Sequence, residues 1–253
     1  MFRVVIPARF ASTRLPGKPL LVLAGKAMIQ WVYERARRSG AQQVIVATDD
    51  DRIAQRVREL GGETQMTDAG HASGTDRIAE IARRERWPDG DIVVNLQGDE
   101  PLMPETLLDQ VAGLLARYPG ADLATLSMPL DSVAALLDPN VVKVVADERQ
   151  RALYFSRAPI PWSRDGAPAG LSSQRSHALA HRHLGLYAYR VASLLRLAAL
   201  PPSPLERLEK LEQLRALENA MDIRVERASV PPGPDVNTAD DVAAVAALLE
   251  AGR

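Results

Sequence analysis

"FRVVIPARFASTRLPGKPL", residues 2–20, decides the fold class. Phe2, Val4, Val5 and Ile6 make a short apolar, β-branched run of the kind that forms a buried strand. The chain then enters a segment that gathers Arg9, Arg14 and Lys18 together with Ser12, Thr13, three prolines and Gly17. Next comes "AMIQWVYERARRSG" (27–40), where Met28, Ile29, Val32 and Ala36 fall at helical spacing before Gly40. Strand, cationic loop and helix in that order predict a first βα unit.

The same alternation continues outward. "QQVIVATDD" (42–50) reads as a strand and "DRIAQRVRELGG" (51–62) as a helix closed by glycine. "ETQMT" (63–67) is a short strand, and "GTDRIAEIARRERW" (74–87) is a helix with Thr75 or Asp76 as a cap. "DIVVNLQGDEP" (91–101) is a buried strand running into an acidic turn, followed by the helix "PETLLDQVAGLLARYPG" (104–120). This is the pattern of an α/β fold, a mostly parallel central sheet with helices on both faces. Ligands of such sheets collect at the carboxyl ends of the strands, which places the opening loop, "ATDD" and "QGDEP" on one rim.

The second half is less regular. "VVKVVAD" (141–147), "ALYFSRAPIPW" (152–162) and "HLGLYAYR" (183–190) read as strands, with a polar stretch at 163–177. Residues 140–190 are therefore expected to be a β-rich insertion within a single domain, 1–253. "SPLERLEKLEQLRALENA" (203–220) predicts one long amphipathic helix, "IRVERASV" (223–230) a late strand, and "NTADDVAAVAALLEA" (237–251) a closing helix.

Composition narrows the function classes. The formal net charge is −1 over 253 residues, so the cations of residues 9–18 are local and no global basic field points to nucleic acid. There is no cysteine, hence no disulfide and no thiolate metal site. No secretory signal pattern opens the chain and no apolar run is long enough to span a bilayer, so a cytoplasmic location is the expectation. The histidines lack zinc-ligand spacing, and no G-x-S-x-G elbow supports a hydrolase.

Three stretches carry candidate chemistry. The opening loop offers Arg forks and a Lys point charge suited to a triphosphate, or is a solvated loop. In "NLQGDEP", Asp99 and Glu100 sit where a strand emerges, as a carboxylate holding Mg²⁺ would, or as a helix-capping turn. "HASGTDR" (71–77) offers hydroxyls and backbone to a nucleoside, or is an N-cap.

Taken in order, "IPARFASTRLPGKPL", "ATDD", "HASGTDR", "NLQGDEP", "DPNVVKVV", "YFSRAPIPW", "HRHLGLYAYR" and "PSPLERLEKLEQLR" resemble the 3-deoxy-manno-octulosonate cytidylyltransferase (CMP-Kdo synthetase) family. The resemblance runs from Val4 to about Val242. It implies a Rossmann-like nucleotide-diphospho-sugar transferase fold. It further implies Mg²⁺-dependent transfer of CMP from CTP to Kdo for lipopolysaccharide assembly, and a homodimer paired through the 140–190 insertion. By this resemblance Arg9, Ser12, Arg14 and Lys18 hold the CTP phosphates, and Ser73, Thr75 and Gln97 face the nucleoside. Asp99 is the main Mg²⁺ ligand; Arg9, Lys18 and Asp99 carry the catalysis. Arg157, His183, Tyr187, Glu206 and Gln213 surround the sugar acid, with Arg77 and Arg164 reaching its carboxylate. One motif departs: the family's "V-D-T-P-E-D" reads "VNTADD" here, which puts Asn237 in the slot of the second metal ligand, with Asp235 as the alternative. The competing readings are a cytidylyltransferase for 8-amino Kdo or a sialic acid, a non-catalytic nucleotide-binding relative, and a glycosyltransferase of the same fold type.

Overall fold

A computed structural model describes residues 1–11, 15–167 and 169–251. The chain opens with β1 (Phe2–Ala8), followed by the small hairpin β2 (Val22–Leu23) and β3 (Lys26–Ala27), α1 (Met28–Arg38), β4 (Gln43–Thr48) and α2 (Asp51–Arg58). Then come β5 (Glu63–Met66), α3 (Gly74–Arg84), β6 (Ile92–Asn95) and α4 (Glu105–Arg117). The second half holds β7 (Leu123–Pro129), α5 (Val133–Leu137), β8 (Lys143–Ala146), β9 (Ala152–Ser156), β10 (His181–Arg190) and α6 (Val191–Ala199). It closes with α7 (Pro204–Glu209), α8 (Gln213–Glu218), β11 (Ile223–Arg227) and α9 (Ala239–Ala251).

The main sheet runs β11-β7-β10-β6-β1-β4-β5. β5, β4, β1 and β6 are mutually parallel, β11 is parallel to β7, and β10 runs antiparallel between β6 and β7. This is the mostly parallel α/β sheet the alternation predicts. β1 lies inside because its side chains serve both faces: Val4 and Ile6 pack with the helices α1 and α4, while Val5 packs with α3 and α6. Ala8 pairs with Thr48 and Val5 with Asn95, so the loops after β1, β4 and β6 open on the same rim.

Residues 140–190 do not form a sheet of their own. β8 pairs with β10 and β9, and β10 is an inner strand of the main sheet. A bulge between Leu184 and Tyr187 lets the first part of β10 pair with β8 and the last part with β6. The Thr125 hydroxyl fills that bulge, 3.0 Å from the Leu184 carbonyl oxygen and 2.8 Å from that of Leu186. β7, α5 and α6 fall in stretches to which the sequence pattern assigned no element.

The long helix expected at 203–220 is two six-residue helices, broken at Lys210, whose φ of 55° lies in the left-handed region. The break has a tertiary cause. Arg215 folds back on Glu206, with Nε donating to Oε2 at 2.8 Å and Nη2 to Oε1 at 2.5 Å. In an unbroken helix these residues would sit about 13 Å apart along the axis and on opposite faces. Glu206 also accepts the Ser203 N–H at 3.0 Å as half of a capping box. The sugar-facing role implied for Glu206 is thus corrected: both its oxygens are committed to Arg215 and the helix cap. Glu206→Ala would strand the Arg215 guanidinium, which is 7% exposed, and cost on the order of 3 kcal/mol. Urea unfolding should show that loss and its partial recovery in Glu206→Ala/Arg215→Met; a single variant as stable as the wild type would contradict the pairing.

Candidate active site

Two clefts open on the rim. The first, of about 290 Å³, lies where β1 ends, α3 begins and β6 turns. Its floor is Pro7, which Gly74 and Gly98 approach so closely that a Cβ on either would lie 3.0 Å from a Pro7 atom. α3 starts here with a reciprocal cap: Ser73 Oγ accepts the Asp76 N–H at 3.1 Å, and Asp76 Oδ2 accepts the Ser73 N–H at 3.1 Å. The unpaired N–H groups of its first turn give the cleft a positive end. Arg9 stands exposed at the lip, and Lys18, Gln97 and Asp99 complete the lining. Gly17 lines neither cleft. Its φ of +70° turns the chain back so that its N–H reaches the Phe10 carbonyl at 3.1 Å, which delivers Lys18 to the cleft. Ser12 and Arg14 lie outside the described residues.

The second cleft, about 930 Å³, is bounded by α3, β6, β10, residues 140–142, the α7–α8 link and residues 232–237. Arg157, His183, Tyr187, Gln213, Asp235 and Asn237 all line it. The two clefts share Gly74, Gln97 and Asp99. Thr75 faces this second space, and its hydroxyl donates to Glu212.

Besides Glu206, two more residues assigned to the sugar acid by resemblance sit elsewhere. Arg77 is 3% exposed at the back of the first cleft, where Nη2 donates to Asp49 Oδ2 at 2.9 Å and Nη1 to the Thr67 hydroxyl. The first acid of "ATDD" captures it. Arg164 is exposed on a turn and lines neither cleft. Conversely, Glu100, Arg182 and Glu212 line the second cleft. Glu100 is visible beside Asp99 in the motif, whereas Arg182 lies inside "HRHLGLYAYR" with no spacing that singles it out from its neighbours.

At the junction, Lys18 Nζ lies 2.6 Å from Asp99 Oδ2 and donates to Asn237 Oδ1 at 3.5 Å. The Asn237 amide nitrogen donates to Asp235 Oδ2 at 2.5 Å, and the Val236 N–H to the Asp99 carbonyl at 3.0 Å. The Asp241 carboxylate accepts the N–H groups of Asn237 and Thr238 at 2.8 and 2.7 Å. Asn237 therefore turns its carbonyl oxygen toward Lys18 and its amide toward Asp235, so the two candidate ligands act in series.

Burial pushes the Glu100 carboxyl up to about 8, with the Asp99 and Asp235 charges adding, and its Oε2 has no hydrogen-bond partner. Burial and then Arg182 push His183 down to about 3, so its imidazole is neutral. His183 Nε2 lies 3.1 Å from Thr125 Oγ1, whose proton is directed at the bulge carbonyls. The network thereby assigns the proton to Nε2 and leaves Nδ1 as an acceptor. The ring is held edge-on to Phe155 at 5.1 Å and beside Tyr187 at 5.2 Å, and the Tyr187 hydroxyl is buried without a partner.

Because Glu100 holds its proton to about 8 when folded but only to 4.5 as a free glutamate, the unfolded chain releases it first as pH rises. The folded state therefore loses stability across that window, by up to about 1.4 kcal/mol per pH unit. Urea midpoints in EDTA should show Glu100→Gln gaining on the wild type between pH 5 and pH 8. A pH-independent difference would contradict the buried, unpaired carboxyl.

The sequence profile of the cytidylyltransferase family matches residues 3–223. The 3-deoxy-manno-octulosonate cytidylyltransferase of Thioalkalivibrio sulfidiphilus is 55% identical over 251 residues, covering 99% of each chain. That of Marinobacter nauticus is 51% identical over 99% of this chain and 98% of its own. A solved structure of CMP:2-keto-3-deoxy-manno-octonic acid synthetase complexed with CTP superposes with a TM-score of 0.90 at 41% identity, over 100% of both chains. A cytidylyltransferase from Leptospira borgpetersenii, 16% identical with a TM-score of 0.58 over 98% of this chain and 93% of its own, shares the fold. With similarity of this depth along its whole length, the chain belongs to the 3-deoxy-manno-octulosonate cytidylyltransferase family.

Proposed function

We propose that this chain transfers CMP from CTP to 3-deoxy-manno-octulosonate, releasing pyrophosphate and supplying an activated sugar acid for lipopolysaccharide assembly. The observation that carries the reading is the shared wall. An anion-receptive cleft and a larger polar cleft meet at Asp99, so a nucleotide in one and a sugar acid in the other come together at a single carboxylate.

In the first cleft, Arg9, Lys18 and the α3 N-terminus suit a triphosphate, and Ser73 and Gln97 suit the nucleoside. In the second, Arg157 and Arg182 supply cations for a carboxylate, and Gln213, the Tyr187 hydroxyl and His183 Nδ1 suit sugar hydroxyls. The sugar's 2-hydroxyl oxygen forms the new bond to the α-phosphorus and gives up its proton to solvent, and the bond to the bridging oxygen breaks as pyrophosphate leaves with its electron pair. The protein's part is positioning and charge. Lys18, paired with Asp99, sits where charge builds on the phosphates.

The donor set fits Mg²⁺. Asp99 and the Asn237 carbonyl are hard oxygen donors, Asp235 stands behind Asn237, and Glu100 Oε2 is an unpartnered oxygen at the same place. Among the described residues no three His, Asp or Glu side chains form a metal cage on their own, as suits an ion that also takes phosphate oxygens. When bound, Mg²⁺ neutralises phosphate charge and acidifies the attacking hydroxyl. The edge of β9, with Leu153 54% exposed and Trp162 42% exposed nearby, supports pairing of two copies through residues 140–190. Among the described residues no helix is long and apolar enough to cross a membrane. Free CTP as the substrate supports a cytoplasmic site of action.

Pyrophosphate release should require CTP, Kdo and Mg²⁺ together, with ATP, GTP and UTP inactive and with 8-amino Kdo and N-acetylneuraminate poor acceptors. Asp99→Asn should lose at least about 100-fold in kcat with its unfolding midpoint retained. Preference for another sugar acid, or near wild-type turnover by Asp99→Asn, would overturn the assignment.

A further inference from the structure

Lys143, in the "DPNVVKVV" stretch, is 0% exposed and is the most deeply buried cation among the described residues. It makes no ion pair there. Its ammonium instead donates to the carbonyl oxygens of Asp138 at 2.9 Å, Val141 at 2.6 Å and Arg157 at 2.6 Å. Those three bonds use every proton it has. Burial lowers its affinity for the proton, and placing an ammonium in a core is expensive where an apolar side chain would fill the space. The geometry it imposes is therefore the reason to look at it: one group ties β8, the 138–141 loop and the end of β9 together.

A second clamp grips the same point from the other side. Glu209 Oε2 accepts the Arg157 N–H at 2.8 Å, and Oε1 accepts the Ser156 hydroxyl at 2.6 Å. The Arg157 side chain is fixed in turn, with Nε donating to the Glu209 carbonyl at 2.8 Å and Nη1 to the Pro139 carbonyl at 2.9 Å. Arg157 is thus stapled through its carbonyl by Lys143, through its N–H by Glu209, and through its guanidinium by both flanking segments. Asn140, Val141, Val142 and Arg157, the residues so held, form one wall of the second cleft, whereas Lys143 and Glu209 do not line it.

We propose that Lys143 and Glu209 are positioning residues that hold Arg157 and the 138–142 loop as a preformed wall, setting affinity for the sugar acid without touching it. The inference rests on the reading that the second cleft takes the sugar. An apolar substitute for Lys143 would leave three carbonyls to find new partners and free the loop to move. A shift of about 1 Å in a positioning group is enough to change substrate binding by one to two orders of magnitude.

The test is steady-state kinetics on Lys143→Met, Glu209→Ala and Arg157→Ala, and on each of the first two combined with Arg157→Ala. Lys143→Met and Glu209→Ala should each raise KM for Kdo about ten-fold while KM for CTP stays within about two-fold. In the Arg157→Ala background Glu209→Ala should add less than about two-fold, because the side chain it positions is gone, while Lys143→Met should still raise KM for Kdo through the 138–142 loop and leave KM for CTP within about two-fold. A purely structural role would lower activity toward both substrates and, for Glu209→Ala, would persist in that background. If Lys143→Met is insoluble, Glu209→Ala, at a half-buried side chain, decides the matter. Sensitivity of Kdo binding to Arg157→Ala, but not to either clamp variant, would overturn the positioning role alone. Insensitivity to Arg157→Ala would overturn it together with the placing of the sugar against Arg157.

Discussion

The Lys18–Asp99 pair, 2.6 Å long, is the contact on which the rest of the site depends. It joins the loop that leaves β1 to the turn that leaves β6, and its Asp99 lies on the wall common to both clefts. With side-chain exposures of 13% and 33% it adds on the order of 1 kcal/mol to stability, so its importance is geometric. The C-terminal segment is registered on the same two residues, through Val236 on the Asp99 carbonyl and Asn237 on the Lys18 ammonium. Three segments remote in sequence thereby converge, and both clefts take their shape from that meeting.

Around it, charge is distributed unevenly. The first cleft has cations and a helix N-terminus at its mouth, suited to a polyanion that arrives from solvent. The second is lined by groups whose polar atoms are held but not satisfied: the Tyr187 hydroxyl, Glu100 Oε2, and a neutral His183 locked by Thr125. Unpaired buried polar atoms are costly in a free protein and become specificity when a ligand completes them. The asymmetry matches a nucleotide bound by charge and a sugar read by hydrogen bonds.

Much of the first half was legible because short-range rules decide it. Apolar runs, capping residues and helix-ending glycines place β1, β4, β6 and the helices between them, and the rule for parallel sheets then puts Arg9, Lys18, Gln97 and Asp99 on one rim. Where a distant partner decides, the sequence is silent or misleading. Residues 203–220 carry an unbroken helical pattern, yet Arg215 reaching Glu206 breaks the helix at Lys210. Arg77 looks like a free ligand cation until Asp49 and Thr67 take it. Arg182 and Glu212 enter the second cleft only because β10 and the α7–α8 link are brought to it by the sheet. The fixing of Arg157 by Lys143 and Glu209 depends on three backbone segments that no local pattern relates.

The central claim is that nucleotide and sugar meet at Asp99, and relaxation of bound substrates tests it most directly. With Mn²⁺ replacing Mg²⁺ on the enzyme, the account predicts that the metal shortens the relaxation of both the CTP α-phosphorus and the C2 carbon of ¹³C-labelled Kdo, and that Asp99→Asn removes both effects. Relaxation of the phosphorus alone, with C2 untouched, would place the sugar elsewhere and contradict a site shared through one carboxylate.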